Sequence, residues 1–362
     1  MNRVNKRVLV APLDWGLGHT TRSIPIIREL QLNGWEVAIA SSGDALILLK
    51  SEFPKLNFFE LTSYKATYSQ HVPLILKVFF QLPKFLIVIW KEHGEIERIV
   101  KEHQIDLIIS DNRFGCWTKR VPTVFITHQV NIQMPFALKW MQGIINYFNH
   151  RQIRKFNQCW VPDFLENRLT EKLTEPGKLL VKFIGMLSRF SKTKTDDSFA
   201  YDYLALVSGP EPQRTIFEQK MRLCFSELKG RKILVRGLPG MSEEIVQLSD
   251  WDEACHLSSD KLQHVIEQSE LVICRSGYSS IMDLVALGKK AIFVPTPGQT
   301  EQEYLADQLM KKGIAYYVRQ DSFSSSDLLI ARGYSGFCGD FSMNLLKREI
   351  INLEVERLAI NE

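Results

Sequence analysis

The sequence predicts an α/β protein built as two Rossmann-like, doubly wound domains in tandem, and three observations carry that expectation. At 362 residues the chain exceeds one ordinary core and suits two domains of roughly 150–190 residues. Apolar runs of strand length alternate with helical stretches, the pattern of parallel βαβ units. A polar stretch, Ser188–Phe199 (SRFSKTKTDDSF), separates two such alternations and reads as a linker.

In the first half, strands are read at 6–13, 35–40, 57–61, 105–110, 121–127, 158–161 and 180–185, with helices near 21–33, 44–52, 73–101 and 134–157. In the second half, strands fall at 203–208, 231–236, 254–257, 271–275, 290–295 and 315–319. Its helices lie near 211–228, 259–269, 279–288 and 301–312. The domains are therefore expected at 1–188 and 200–341. A last helix at 342–360, with apolar spacing at Leu345, Leu346, Ile350, Ile351 and Leu353, is expected to return to the first domain. In such folds a ligand sits at the carboxyl ends of the strands, here between the two domains.

Composition narrows the function classes. Apolar content of 45% with 24% charged residues excludes a disordered chain. A net charge of +4 can favour an anionic membrane or phosphorylated substrate but is too weak for a nucleic-acid partner. Cys116, Cys159, Cys224, Cys255, Cys274 and Cys338 are scattered without a C-x-x-C pair, so a reducing cytoplasm is expected, with neither disulfides nor a zinc site. The opening MNRVNKRVLVAPL reads as a first strand, its apolar run stopping at Asp14, and not as a signal peptide. Asp250-Trp251-Asp252 has the form of a metal motif but no strand-end setting, and it reads as solvated.

One segment tests the absence of a membrane span. Val72–Trp90 has fourteen apolar residues in nineteen, interrupted by Lys77, Gln81, Pro83 and Lys84. Two prolines and two lysines argue against a spanning helix. Two readings remain: a helix packed on the sheet, or an interfacial surface that meets a lipid acceptor at the inner face of the membrane.

Three strand–loop–helix junctions can carry chemistry. The first is Asp14-Trp15-Gly16-Leu17-Gly18-His19-Thr20-Thr21-Arg22, where glycines allow a sharp turn and a helix start attracts anions. It is a poor dinucleotide fingerprint, because Thr21 stands at the third glycine position and AIASSG ends the second strand without an acid. His19 is a candidate general base, with a tight turn carrying a helix-start histidine as the structural alternative. The second junction is Ser208-Gly209-Pro210-Glu211-Pro212-Gln213-Arg214. The third, Leu271–Glu303, is the densest. A buried strand ends at Arg275-Ser276-Gly277, and free amides at the following helix start, Tyr278-Ser279-Ser280, can hold a diphosphate. Asp283 can bind ribose hydroxyls, or it can close a capping box as Ser280-x-x-Asp283.

Residues 271–310 resemble the carboxyl-terminal domain of glycosyltransferase family 28, through Arg275-Ser276-Gly277, Asp283, Phe293-Val294-Pro295, Gln302 and Tyr304. Gly16-x-Gly18-His19 resembles that family's first glycine loop, and Thr127-His128-Gln129-Val130-Asn131 its acceptor-side segment. The resemblance implies the GT-B architecture and a nucleotide-sugar donor. It also implies that Tyr278, Ser279 and Ser280 hold base and diphosphate, Asp283 the ribose, Gln302 and Glu303 the sugar, and Arg189 the diphosphate. It places Gly16, Gly18 and Gln129 on the acceptor side and requires no metal or other cofactor. One departure stands out: Ser208-Gly209-Pro210-Glu211-Pro212 replaces a Gly-Gly-Ser-Gln-Gly-like loop. Two prolines remove two amide donors, so diphosphate binding shifts toward the 277–280 helix start and Arg189, Arg214 or Arg275.

The expected reaction is an inverting transfer of a sugar from a nucleotide-diphosphate sugar, read as a UDP-sugar, to an acceptor left open, a polyprenyl-linked or other glycolipid being one candidate. His19 is the first choice of base; Asp111, ending IDLIIS, and His128, ending VFITH, are the second. A nucleotide-sugar hydrolase or 2-epimerase on the same fold, or a binding module without turnover, are the alternatives.

Overall fold

The computed structural model describes residues 6–15, 17–64, 74–134, 136–166, 168–192, 199–238, 240–338 and 344–360, without the side chains of 74–82, 136–137, 344 and 354–360. Gly16 therefore lies outside the described residues, as does part of the 72–90 segment. The chain divides into one unit of Met1–Ala66, Val78–Leu187 and Phe341–Glu362, and a second of Thr67–Lys77 and Ser188–Asp340.

The first unit runs β1 (Lys6–Pro12), α1 (Leu17–Leu32), β2 (Trp35–Ser41), α2 (Gly43–Glu52), β3 (Asn57–Glu60), α3 (Leu74–His103), β4 (Leu107–Asp111), β5 (Thr123–Ile126), α4 (Gln142–Ile153), β6 (Gln158–Val161) and β7 (Val181–Phe183). Its strands form one parallel sheet in the order β3-β2-β1-β4-β5-β6-β7. The sequence on β1 and β4 is apolar without alternation because helices cover both faces. On one face Ile24, Ile26, Ile27 and Leu30 of α1 pack with Val8, Val10 and Ile109; each such side chain contributes about 1.5–3 kcal/mol on burial. On the other, Ile96, Ile99 and Val100 of α3 meet Leu9, Ala40 and Ile108.

The second unit runs β8 (Tyr201–Leu206), α5 (Gln213–Glu227), β9 (Lys232–Val235), β10 (Ile245–Gln247), β11 (Asp252–Ala254), α6 (Ser259–Glu267), β12 (Ser269–Cys274), α7 (Tyr278–Leu287), β13 (Lys290–Phe293), α8 (Thr300–Lys311), β14 (Tyr316–Tyr317) and α9 (Asp327–Arg332). The sheet order is β10-β11-β9-β8-β12-β13-β14, parallel except for the edge pair β10–β11. Phe217, Met221 and Phe225 of α5 anchor its core with Leu328 of α9.

The final helix, α10 (Asn344–Ile360), belongs to the first unit. Its Leu346, Ile350 and Leu353 join Ile24, Ile184 and Leu187 in one core. Gly185, at φ +77°, sits where an added Cβ would lie 3.4 Å from Leu345 Cβ, so the chain after β7 passes close under this helix.

The structure departs from the sequence reading in local ways. Helix α1 starts at Leu17, four residues earlier than read, so His19 lies in its first turn and not in the preceding loop. Between Phe136 and Met141 the chain forms a 3-10 turn before α4, where one long helix was read. Helix α3 is two-faced over its described side chains. Phe85 and Val88 pack with Leu13 and Tyr64, whereas Leu86, Ile87 and Trp90 are 58%, 56% and 76% exposed. Over residues 83–90 the helix thus has one packed face and one exposed face, and the rest of the 72–90 segment lies outside the described side chains. Among the described residues no helix is long and apolar enough to cross a membrane.

Candidate active site

In each sheet the strand order reverses between two central neighbours, β1 and β4 in the first unit, β8 and β12 in the second. Open α/β sheets bind ligands at the carboxyl ends of strands flanking such a reversal. His19, Asp111 and His128 collect at the first of these places, and Gly209 and Arg275 at the second.

At the first reversal, His19 follows β1, Asp111 ends β4 and His128 follows β5. The structure brings all three together around Arg22, one turn beyond His19 on α1. Arg22 grips Asp111 in a two-pronged ion pair, Nε donating to Oδ2 at 2.6 Å and Nη2 to Oδ1. Its Nη1 meets His128 Nδ1, and Nη2 lies 2.8 Å from His19 Nδ1. His19 Nδ1 is 3.0 Å from Asp111 Oδ1. Asp111 can only accept and Arg22 can only donate, so the two compete for Nδ1; with Nδ1–H donating to the carboxylate, Arg22 Nη2 is a close contact and the lone pair resides on Nε2.

Burial sets the protonation states. Asp111 and Arg22 are each 1% exposed, and His19 keeps a 15% exposed side chain. Burial works against the Asp111 charge, but Arg22 and then His19 hold its pKa below the usual carboxylate range. Burial first, and the Arg22 charge second, lower the His19 pKa against the pull of Asp111. The cluster therefore presents a neutral imidazole braced by an ionised carboxylate, the state a general base requires. Arg22 was not among the sequence-predicted residues. Its spacing of three from His19, which puts both on one helical face, was the available signal.

The loop before α1 is held by a second buried network. Arg113 binds Glu92 at 2.7 Å and Ser42 Oγ at 2.7 Å, and Ser42 in turn donates to Asp14 at 2.8 Å. Tyr64 OH and the Gly115 amide donate to Glu92. Helix α3 is thereby tied to Asp14, ahead of α1. Gly18 lies in the first turn of α1. Gln129 follows β5, its amide donating to Thr127 Oγ1 at 3.0 Å.

At the second reversal, Gly209 follows β8 and Arg275 follows β12. Arg275 is 1% exposed. It donates to the carbonyls of Val294, Pro295 and Gln213 and to Gln320 Oε1, and it stacks 4.1 Å over Phe217. It thus fastens three strand-end loops. Ser276 donates to the Gln302 carbonyl at 2.8 Å, and Tyr278 is 3% exposed. Gly277 is the N-cap of α7 and leaves Ser279 and Ser280 part-exposed in its first turn. A Cβ on Gly277 would lie 3.9 Å from Gln302 Nε2. Gln302 accepts from the Thr296 amide at 2.8 Å and donates to Gln299 at 2.5 Å, and Glu303 is exposed.

Asp283 has no capping contact at the start of α7. Its Oδ1 accepts from Ser188 Oγ at 2.7 Å, and Arg189 Nε lies 3.7 Å from Oδ2. Arg189 also reaches Ser259 Oγ at 3.4 Å and lies 4.7 Å over Phe190. Burial raises the Asp283 pKa against Arg189 and Ser188. Sequence reasoning missed Ser188, which stands directly before Arg189. Arg214 is held by two carboxylates, Glu211 at 2.5 Å and Glu218 at 2.7 Å, which leaves its charge compensated.

The profile of the glycosyltransferase family 28 C-terminal domain matches residues 256–331. The chain is 24% identical over 339 residues, 90% of its length and 88% of the relative's, to the UDP-N-acetylglucosamine--N-acetylmuramyl-(pentapeptide) pyrophosphoryl-undecaprenol N-acetylglucosamine transferase of Actinobacillus pleuropneumoniae serotype 5b. It is 36% identical over 247 residues, 65% of its length and 66% of the relative's, to the protein of the same name from Wolinella succinogenes. Among solved structures, the spinosyn rhamnosyltransferase SpnG complexed with thymidine diphosphate superposes with a TM-score of 0.62 at 15% identity, covering 98% of this chain and 96% of that one. The family 28 resemblance and the GT-B fold expected from the sequence are both borne out.

Proposed function

We propose, from the premise that this chain is a GT-B glycosyltransferase with a family 28 carboxyl-terminal domain, that it is an inverting enzyme moving a sugar from a UDP-sugar to a lipid-linked acceptor. The observation that carries this reading is the His19–Asp111–Arg22 cluster. A binding module has no use for a neutral imidazole braced by a carboxylate at a strand-order reversal.

His19 Nε2 takes the proton of the acceptor hydroxyl as its oxygen attacks the anomeric carbon. The bond from that carbon to the diphosphate breaks, and the nucleoside diphosphate leaves with the bonding electrons. Asp111 stabilises the imidazolium that forms, and Arg22 keeps Asp111 ionised. The leaving charge falls on the amides at the start of α7 and on Arg189, groups fixed before the reaction begins. Asp283 accepts from the ribose hydroxyls. UDP-N-acetylglucosamine is the first donor to try, because relatives along 90% of the chain carry that donor in their names.

A polyprenyl-linked acceptor places the reaction at the cytoplasmic face of a membrane. Leu86, Ile87 and Trp90 on α3, flanked by exposed Lys84 and Lys91, suit an anionic lipid surface. The test incubates the protein with UDP-N-acetylglucosamine, with and without a polyprenyl-diphosphate-linked saccharide in anionic vesicles. Transfer only with the acceptor supports the reading. Free sugar released without acceptor makes it a hydrolase, a new nucleotide sugar makes it an epimerase, and binding without turnover makes it a module.

A further inference from the structure

The loop after β8 poses a chemical problem. Pro210 and Pro212 have no N–H, and Glu211 brings an acid to the place where a diphosphate is expected. The acid is neutralised by its 2.5 Å pair with Arg214. The donors missing from the backbone still need a substitute.

Two side chains near Gly209 carry donors without a partner. Arg275 and Thr296 are 1% and 2% exposed. Among the described residues, Arg275 Nε and Thr296 Oγ1 are buried and without a hydrogen-bond partner, although every other donor group of that guanidinium is engaged. Leaving a buried donor unmade costs free energy, so two of them close together ask for an acceptor. Both lie near Gly209, where an added Cβ would lie 3.6 Å from Thr296 Oγ1 and 3.9 Å from Arg275 Nε. Gly209 is exposed and holds φ +115°, so the two donors lie close behind a solvent-facing stretch of backbone that carries no side chain. Arg275 has only neutral oxygens and a ring as partners, and burial pushes its pKa down. An anion arriving here would meet a cation that no carboxylate has already neutralised.

We propose that a phosphate oxygen of the donor's diphosphate seats against Gly209 and accepts hydrogen bonds from Arg275 Nε–H and Thr296 Oγ1–H. These side chains take over the work of amides that the prolines removed. The assignment rests on the reading of the second unit as the donor-binding unit. It goes beyond that reading by naming Thr296, which sequence reasoning did not single out.

Calorimetry on the full chain tests it with UDP, dTDP and GDP, each paired with its nucleoside, and with inorganic pyrophosphate. The variants are Thr296→Val, which keeps shape and removes the hydroxyl, and Arg275→Lys, which keeps charge and loses Nε. Thr296→Val is expected to weaken the preferred nucleoside diphosphate and pyrophosphate by roughly tenfold, with the nucleoside unchanged. Arg275→Lys is expected to weaken them further, and should it fail to fold, Thr296→Val alone decides. If Thr296→Val binds nucleoside diphosphate as tightly as wild type, the phosphate seat is wrong while the donor-binding reading stands. If wild type binds pyrophosphate in a Thr296-dependent way but no nucleotide, the seat stands and the donor reading falls. If wild type binds neither, both fall.

Discussion

The two strand-order reversals of this molecule are the same place in two similar sheets, and they are furnished with opposite chemistry. Beyond β1 and β4, a buried arginine is fully answered: Arg22 faces the carboxylate of Asp111 and touches two imidazoles. Beyond β8 and β12, among the described residues, an equally buried arginine meets carbonyl and amide oxygens and the Phe217 ring, and no carboxylate. A compensated ion pair serves to hold a neighbouring base in one protonation state and orientation. An uncompensated cation serves to attract negative charge that arrives with a ligand. On the proposed function one sheet moves a proton and the other holds a diphosphate, a division that a doubly wound fold permits because its strand-end loops vary without disturbing the sheet.

The largest effect that would break this contrast comes from Asp111→Asn. The amide no longer holds His19 in the Nδ1–H tautomer, and kcat is expected to fall on the order of 10³–10⁴. Arg22 is left buried without its partner, at a cost of about 3–5 kcal/mol, so the melting temperature should drop by roughly 10 °C. Turnover and a thermal melt check both, and an unmoved kcat would remove Asp111 from the mechanism. His19→Ala comes next: a loss of about 10²–10⁴ in kcat with nucleotide affinity unchanged, since the role belongs to the transition state alone. An equal fall in nucleotide affinity would move His19 to the donor side and erase the distinction between the two reversals.

The alternation of strands and helices was legible because each apolar run is continuous and each helical stretch keeps its period. The ends of IDLIIS and VFITH were legible as well, because strand ends announce themselves by a polar residue closing an apolar run. Arg22 was not, since an arginine on a helix ordinarily points to water, and its burial follows only from β4 and β5 standing beside β1. Ser188 and Asp283 are 95 residues apart, and no local pattern joins them. The spacing Ser280-x-x-Asp283 offered a helix cap as the alternative to ribose contact, and the helix is instead capped at Gly277, three residues ahead of Ser280. The β10 strand escaped notice because three exposed residues at a sheet edge carry no periodic signal.

A smaller effect sharpens the second side of the comparison. Asp283→Ala is expected to weaken nucleoside diphosphate binding by about tenfold through the lost ribose contact. Ser188→Ala, which only frees the carboxylate to move, should cost about threefold. Both should leave the acceptor-side steps unchanged, so kcat at saturating donor stays near wild type. A variant that melts lower but binds normally would make Asp283 a purely structural group.

The smallest effect is a displacement along the pH axis, and its sign follows from the buried cluster. Burial and Arg22 lower the His19 pKa from its usual value of about 6.5. The imidazole is therefore neutral through pH 7, and kcat/KM should remain level as pH falls to about 6.5, declining only below it. Stability follows the same sense. The unfolded chain binds the His19 proton more readily, so this contribution is complete above about pH 6.5 and is lost as pH falls through the lower folded value. Asp111, also depressed, begins to lose its own contribution only below about pH 4, which separates the two groups. The comparison of regions enters through the variants. Asp111 pulls the His19 pKa upward and Arg22 pulls it downward, so in the residual activity of Asp111→Asn the acid limb should move to still lower pH. Asp283→Ala, at the other reversal, should leave the limb where wild type has it. A limb at or above pH 6.5 would assign the proton to a group outside this cluster, and a limb that moves with Asp283 would show that the two reversals do not divide the chemistry between them.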